Sequence, residues 1–367
     1  MYSILLIKNK THHSNIKVLN YLAFIKFIAM IIIIKWHIIY WRKKPIACGA
    51  RMCEILFIAS GFLVGYNHYQ TKMPCNYETS FKYTFKKIKN FYPLLFINTI
   101  YGYFITENKN YDINEIILLL SILLLIKSWS RFAYKAIFCN EHSWFLSSLL
   151  FSYFLVPLLL KGLQSIKISC IIFVIITLIR IISEVLVRNG ALNMFDADFH
   201  RGPVIRLLEF YMGMLLIPIF FKSKSYLDKY LNKNWLKIIF TFTQIFSVVA
   251  LYYIMSKYDK VFYRCYFVII SSVFIFIISF DYGLMSNLFA NKILVKIMSC
   301  QMEMYIIQIT INKTFLKIIN KKKFELLINS EIQFLIKLFI IFLFGYLYKI
   351  LLKDKFSKIF EKIIIFN

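Results

Sequence analysis

Ten long apolar runs follow one another along this chain, with little polar sequence between them. A helix needs about 20 residues to cross the ~30 Å hydrocarbon core of a bilayer, and these runs reach that length with a few flanking residues. Because the core offers no water to the backbone, such runs must be helical. We therefore predict an all-α, polytopic transmembrane bundle of about ten spans. The runs are Tyr21 to Trp41, Ile55 to Thr71, Asn90 to Thr106, Phe145 to Leu160, Ile168 to Ile179, Leu207 to Phe221, Ile238 to Ser256, Tyr266 to Phe280, Leu294 to Asn312 and Phe334 to Tyr348.

Composition excludes the other broad classes of protein. The chain is 60% apolar, whereas soluble domains have about 45–50%. Too few polar residues remain to coat a soluble globule of this size. Soluble enzymes, disordered chains and collagen-like chains are therefore excluded.

The charge of the chain has two interpretations. Its net charge is +27, which suits either nucleic acid or the cytoplasmic loops of a membrane protein. The lysines fall mainly between apolar runs, so we favour loops and predict no nucleic-acid partner. The seven cysteines contain no C-x-x-C pair, and we predict neither a disulfide framework nor a metal site.

An eleventh run, Ile116 to Ile126, is short for a crossing. If the N-terminus lies inside and this run does not cross, the basic loops Lys72 to Lys89 and Lys222 to Lys237 both lie inside. This arrangement agrees with the positive-inside rule, so we prefer ten spans. Residues 1–17 are then a short basic segment, residues 18–353 the transmembrane domain, and residues 354–367 a short basic tail.

Lys26 and His37 are the ionisable residues of most interest in the first run. They lie 11 positions apart, which is three helical turns, so they share a face about 16 Å apart along the axis. Ionisable groups in membrane spans are functional candidates because burying them is costly. A neutral imidazole could act as a base. The alternative is an interfacial histidine near Trp41.

Later runs contain further candidates, each with a structural alternative. Glu54 begins the second span, near a membrane entrance, and Lys87 and Lys89 either anchor the third span or hold an anionic ligand. Arg206 and Glu209, at i and i+3, can neutralise each other and be structural, or they can take part in catalysis. Two other residues have simpler explanations, since Ser60 beside Gly61 suits close helix packing and Trp144 suits the interfacial aromatic belt.

The order of these motifs resembles that of the acyltransferase-3 family of integral membrane O-acyltransferases. The resemblance covers residues 18–352. The family's Arg-x10-His motif corresponds to Lys26 and His37, and its E-x-F-F-x-x-S-G-F motif to Glu54 to Phe62. Its basic Tyr-Pro motif corresponds to Lys87 to Pro93, and its Trp-Phe-Leu motif to Trp144 to Leu146, with Pro157 later in the span. Its R-x-x-E-F-x-x-G motif corresponds to Arg206 to Gly213, and its S-x-x-x-x-Y-L-x-H motif to Ser299 with Tyr305. The departures are Lys26 for Arg, Leu56 for Phe, Asn90 for Arg and Gln308 for His.

The resemblance implies transfer of an acetyl or short acyl group to a hydroxyl. The donor would be acetyl-CoA on the inner side, used as a substrate, with no tightly bound cofactor. The acceptor would be a cell-surface glycan or its lipid-linked precursor, and the protein would lie in a bacterial inner membrane. The implied catalytic residues are His37 and Lys26; the implied donor- or substrate-binding residues are Glu54, Ser60, Lys87, Lys89, Trp144, Arg206, Glu209 and Tyr305. Because the family motif places Arg206 and Glu209 together beside Gly213, we favour a catalytic role for this pair over a structural one.

Two other functions suit a ten-span protein. A transporter of lipid-linked oligosaccharides often uses broken helices rich in glycine and proline, and the chain has only 10 glycines and 6 prolines. A glycan polymerase would need a large outside loop. The longest candidate segment, Glu107 to Glu141, is marginal for that purpose.

Overall fold

The computed structural model describes residues 20–38, 48–69, 71, 73–105, 113–129, 142–189, 200–230, 232–256, 261–280, 282–284, 292–322 and 330–365. Within these ranges all regular structure is helical and there is no β-strand. The all-α prediction is therefore confirmed. The predicted segment 1–17 lies outside the described residues, as do parts of the segment 107–141.

The first half of the chain forms eight helices among the described residues. They are α1 (Asn20–Ile38), α2 (Cys48–His68), α3 (Tyr77–Ile88), α4 (Tyr92–Ile105), α5 (Ile113–Leu123), α6 (Ser143–Phe154), α7 (Val156–Leu159) and α8 (Ile166–Arg188). Short 3-10 helices follow α5 at Lys127–Trp129 and α7 at Leu160–Leu163.

The second half is equally helical where it is described. Its helices are α9 (Pro203–Tyr230), α10 (Lys233–Ser256), α11 (Val261–Ile278), α12 (Lys292–Met298), α13 (Gln301–Lys322), α14 (Ser330–Leu351) and α15 (Lys353–Ile365). The last helix covers most of the predicted basic tail.

Five helices in the described part of the chain are long and apolar enough to cross a membrane: α1, α8, α9, α10 and α14. The bent pair formed by α6 and α7 would be a sixth. This supports a multi-pass membrane protein. Helix α4 has 14 residues, about 21 Å at 1.5 Å per residue, which is shorter than a hydrocarbon core. The total of ten spans therefore stays a prediction.

The break between α6 and α7 has a local cause. The two helices meet at an angle of 51° across Leu155. Pro157 follows at the second position of α7, where its ring clashes with the preceding turn and its missing N–H removes a helical hydrogen bond. The fourth predicted span is thus a broken helix.

The eleventh apolar run ends early. Helix α5 stops at Leu123, and its 11 residues span about 16 Å. Leu125 then adopts a left-handed backbone conformation, with φ of 57°, which an α-helix does not contain. The short helix agrees with the prediction that this run does not cross.

Several predicted boundaries differ from the observed ones. Helix α2 begins seven residues before Ile55, because Arg51 and Glu54 pair and are buried inside the fold. The ninth run is divided at Ser299, whose hydroxyl donates to the Lys296 carbonyl at 2.5 Å. Such side-chain bonds compete with helical hydrogen bonds, so α12 ends there and α13 begins.

Two ion pairs each join the end of one helix to the start of another. Lys35, near the end of α1, pairs with Glu331 at the start of α14 at 3.1 Å. Lys353, just after α14, pairs with Glu303 near the start of α13 at 2.7 Å. Helix α14 therefore runs antiparallel to both α1 and α13, as expected when odd and even spans alternate in direction.

Helices α2 and α9 cross more closely than any side chain at the contact would allow. A Cβ atom added to Gly61 would lie 1.7 Å from the Phe210 carbonyl oxygen, and one added to Gly213 would lie 2.0 Å from the Ile58 carbonyl oxygen. Small residues permit this approach between membrane helices. The centre of the bundle forms around this crossing, where Ser60 is also buried.

Candidate active site

Two histidines meet where the end of α1 faces the start of α6. The ring centroids of His37 and His142 lie 3.4 Å apart, with the ring planes at 68°. His142 precedes α6 at the N-cap position, and its side chain does not cap the helix. Sequence reasoning selected His37 but not His142. The available signal was the position of His142 two residues before Trp144.

Side chains of helix α13 form hydrogen bonds with both histidines. Gln308 Oε1 lies 3.1 Å from Nδ1 of His37, and the Tyr305 hydroxyl donates to the backbone carbonyl of His142 at 2.5 Å. The structure thus places Tyr305 beside the histidine pair. Gln308, which occupies the position of the family's usual histidine, is the side chain that contacts His37.

His142 also has unused hydrogen-bonding capacity. Its Nδ1 is buried and has no hydrogen-bond partner among the described residues. Burial, followed by neighbouring positive groups that include Lys127, lowers the pKa of His142 well below its usual value. The ring is therefore neutral at pH 7.

Trp144 lies inside the fold. Its side chain is 6% exposed, and its ring is 5.2 Å from that of His200. The next residue, Phe145, packs between Phe57 at 4.7 Å and Tyr305 at 5.1 Å. Trp144 is therefore not an exposed residue of the aromatic belt. It is buried and packs against His200.

A buried network of charges lies on α2, α8 and α9. It contains three arginines and three glutamates, each less than 6% exposed: Arg51, Glu54, Arg180, Glu184, Arg206 and Glu209. The formal charges cancel within this network, as buried charges require. In the described part of the chain, no cluster of His, Cys, Asp or Glu side chains could hold a metal ion.

The network joins charged residues that are far apart in the sequence. Arg206 contacts Glu209 at 2.5 Å, and Arg180 contacts Glu209 at 3.3 Å and Glu184 at 2.8 Å. Glu54 contacts Arg51, and it lies 3.7 Å from Arg180 and 4.0 Å from Arg206. The sequence analysis did not select Arg51, because this residue precedes the apolar run that begins at Ile55.

A second group of cations lies three turns along α1 from His37. The charge of Lys87 acts on Lys26, and the Lys87 ammonium lies 5.2 Å from the Tyr83 ring and 5.8 Å from the Tyr153 ring. Burial, and then the charge of Lys86, lowers the pKa of Lys87. Neither Lys26 nor Lys87 forms an ion pair with any described acidic residue, which suits an anionic ligand.

Lys89 differs from these two lysines. Its ammonium pairs with Glu361 on α15 at 2.9 Å, and the nearby rings of Tyr92 and Phe360 lie 4.9 Å apart. The two predicted lysines therefore differ, since Lys89 pairs with the C-terminal helix whereas Lys87 packs against two tyrosine rings.

Comparison with known proteins gives one match. Searches of curated proteins and of solved structures found no match. The sequence profile described as "Acyltransferase domain", that of the acyltransferase-3 family, matches residues 19–353. This match covers nearly the whole chain and agrees with the resemblance in motif order. The chain therefore belongs to the acyltransferase-3 family of membrane acyltransferases.

Proposed function

We propose that this protein moves an acetyl group from acetyl-CoA to a hydroxyl of a cell-surface glycan or of its lipid-linked precursor, in a bacterial inner membrane. The observation that carries the proposal is the His37 ring held by Gln308 against His142. A hydroxyl is a poor nucleophile at neutral pH and needs a base. An oriented imidazole in an apolar bundle is well suited to that role.

The proposed reaction uses His37 as general base. Its free ring nitrogen accepts the proton of the acceptor hydroxyl while the hydroxyl oxygen attacks the thioester carbonyl carbon. A C–O bond forms and the C–S bond breaks. The proton then passes from the imidazolium to the departing CoA thiolate, so the imidazole is neutral again. The unpartnered Nδ1 of His142 offers a further contact to the substrate.

We assign the phosphates of the donor to Lys26 and Lys87. Both lysines lack a carboxylate partner among the described residues, and Lys26 lies on the helix that contains His37. The separation of about 16 Å along α1 suits a long donor, with its phosphates at one end and its thioester at the other. Lys89 is paired with Glu361, so we give it a supporting role.

The charge network has a supporting role in this proposal. Arg206 and Glu209 are fully buried and paired, and they hold α9 against α2 and α8. Glu54 connects the same helices. We infer that the network fixes the helix positions which bring the histidines and Trp144 together, and that it does not bind the donor.

Mass spectrometry of surface glycans tests the function. A strain lacking the gene is compared with the same strain carrying either the wild-type gene or a His37→Ala variant at equal protein level. We expect one acetyl mass per repeat to be lost on deletion, restored by wild type and not restored by the variant, because the base is missing.

Other results would contradict the proposal. Normal acetylation by His37→Ala would remove His37 as the base. A change in glycan chain length without acetyl loss would indicate a polymerase. Loss of surface glycan with an intact precursor would indicate a flippase.

A further inference from the structure

We propose that Gln308 is a positioning residue that fixes the tautomer of His37. The inference rests on the proposed function, in which His37 is the base. It starts from one contact between α1 and α13: Nδ1 of His37 lies 3.1 Å from Oε1 of Gln308. The two residues are 271 positions apart, so only the folded bundle brings them together.

The orientation of the Gln308 amide follows from its other contact. Its Nε2 donates to the backbone carbonyl of Tyr305 at 3.0 Å. A carbonyl oxygen can only accept, so the nitrogen of the amide must face Tyr305. Turning the amide over would place two oxygens against each other in a site where Gln308 is 2% exposed. The amide oxygen therefore faces His37.

The tautomer of His37 follows from that orientation. An amide oxygen has no proton to donate, so Nδ1 of His37 must carry the hydrogen. The other ring nitrogen, Nε2, then has the free lone pair that a general base needs. The contact with Gln308 is the only hydrogen bond that His37 makes with described residues. Gln308 thus determines both which nitrogen is basic and how the ring is turned.

A neutral amide is a physically sensible residue for this position. A carboxylate would orient the ring in the same way, but it would add a charge to a buried site with a desolvation cost. Gln308 uses both ends of its amide, one on the histidine and one on its own helix. Its neighbour Tyr305 holds the backbone of His142 from the same helix. One segment of α13 therefore positions both imidazoles.

Kinetics of the purified protein in nanodiscs test the proposal, with acetyl-CoA as donor. We expect Gln308→Met to lower kcat by about 10²-fold or more, the range of general-base contributions, while the KM for acetyl-CoA stays unchanged. Gln308→Glu keeps an acceptor oxygen at the same distance, and we expect it to retain at least about a tenth of the wild-type kcat. Gln244→Met, which removes another buried amide on α10, is the matched control and should leave kcat unchanged.

Three results would overturn the inference. The first is a kcat of Gln308→Met within about threefold of wild type at equal protein level. The second is an equal loss in Gln308→Met and Gln308→Glu, since the acceptor oxygen would then be irrelevant. If Gln308→Met does not accumulate in the membrane, a large loss of kcat in folded Gln308→Glu overturns the inference instead. The third is a loss confined to the KM of the donor.

The same experiment separates this inference from the proposed function. His37→Ala is measured alongside. If it is inactive while Gln308→Met is fully active, only the role of Gln308 is wrong. If His37→Ala is itself fully active, the assignment of His37 as the base is wrong, and the inference about Gln308 fails with it. The proposed function as a whole fails only if deletion of the gene leaves acetylation of the glycan unchanged.

Discussion

At the scale of single residues, Lys26 is the departure from the family motifs with the clearest chemical meaning. The family usually has arginine there, whose planar guanidinium binds a phosphate with two parallel hydrogen bonds. A lysine keeps the charge and binds as a point. Lys87, whose charge acts on Lys26, supplies a second point charge. In the proposed function the two lysines together hold the donor phosphates, so the position keeps its charge without a guanidinium.

We expect Lys26→Arg to keep activity and Lys26→Leu to lose it at low donor concentration. Loss of one charged hydrogen bond costs about 1.5–3 kcal/mol, or roughly 10- to 100-fold in kcat/KM for acetyl-CoA. Lys35→Leu is the matched control on the same helix. Lys35 forms an exposed pair with Glu331, and such pairs contribute about 1 kcal/mol or less. Full activity of Lys26→Leu at low donor concentration would show that Lys26 does not bind phosphate.

At the scale of helices, the crossing of α2 and α9 controls the geometry of the site. Both helices present their buried charges two turns before the contact, with Glu54 ahead of Gly61 and Arg206 ahead of Gly213. The close approach at the glycines therefore sets the distance between the charged residues. Packing and polar function are coupled along the same pair of helices.

Gly213→Ala should destabilise the protein. The new Cβ would lie 2.0 Å from the Ile58 backbone carbonyl oxygen, and a backbone atom cannot move without separating the helices. Overpacking of this kind costs about 1–3 kcal/mol or more, so we expect a lower melting temperature in detergent and less protein in the membrane. Gly345→Ala is the control, because its Cβ would have its nearest neighbour at 3.2 Å. Equal stability of the two variants would contradict the close crossing.

The charge network belongs to the same scale, because it connects three helices. The sequence favoured a catalytic role for Arg206 and Glu209. The structure places them in a balanced set of three arginines and three glutamates. In the proposed function these residues support the fold, because three arginines and three glutamates balance each other's formal charges inside the protein.

A double-mutant cycle distinguishes these roles. Arg206→Met or Glu209→Met alone leaves an unpaired buried charge, costing about 3–5 kcal/mol, and each should lower the protein level sharply. The double variant leaves two arginines and two glutamates, so we expect both protein level and acyl transfer to recover. Protein level is read by immunoblot and transfer by glycan mass spectrometry. A double variant that folds but does not transfer would restore the catalytic role.

At the scale of the whole molecule, the two groups of candidate residues lie at different depths in the bundle. Lys26 and Lys87 are near the end that also holds the α3–α4 connection, whereas His37 is near the opposite end of α1. We propose that the N-terminus lies inside, so that the lysines face the cytoplasm and the proposed donor, acetyl-CoA. The histidines then lie nearer the outer face, where a surface glycan precursor could reach them.

Cysteine labelling in whole cells tests this orientation. In a variant with the other cysteines replaced, Cys75, which is exposed between α2 and α3, should react with a membrane-permeant thiol reagent only. A cysteine introduced by Glu331→Cys at the start of α14 should react with an impermeant reagent, because it lies at the opposite end. The reverse pattern would invert the orientation and place the donor site outside.

The sequence determined which segments form helices but not where every helix begins and ends. Each predicted apolar run is mainly helical where the structure describes it, because an apolar backbone in a membrane must satisfy its hydrogen bonds internally. The limits were less predictable. Helix α9 continues to Tyr230, beyond the end of its apolar run at Phe221, since hydropathy measures contact with lipid and not helix formation.

Tertiary structure decided the site. The sequence alone selected His37 and, through helical periodicity, placed it on one face with Lys26. Periodicity shows which face a side chain occupies but not which helix covers that face. His142 and Gln308 became recognisable only when α6 and α13 were packed against α1. The partners of a buried polar group are chosen by helix packing, because residues hundreds of positions apart must meet to satisfy its hydrogen bonds.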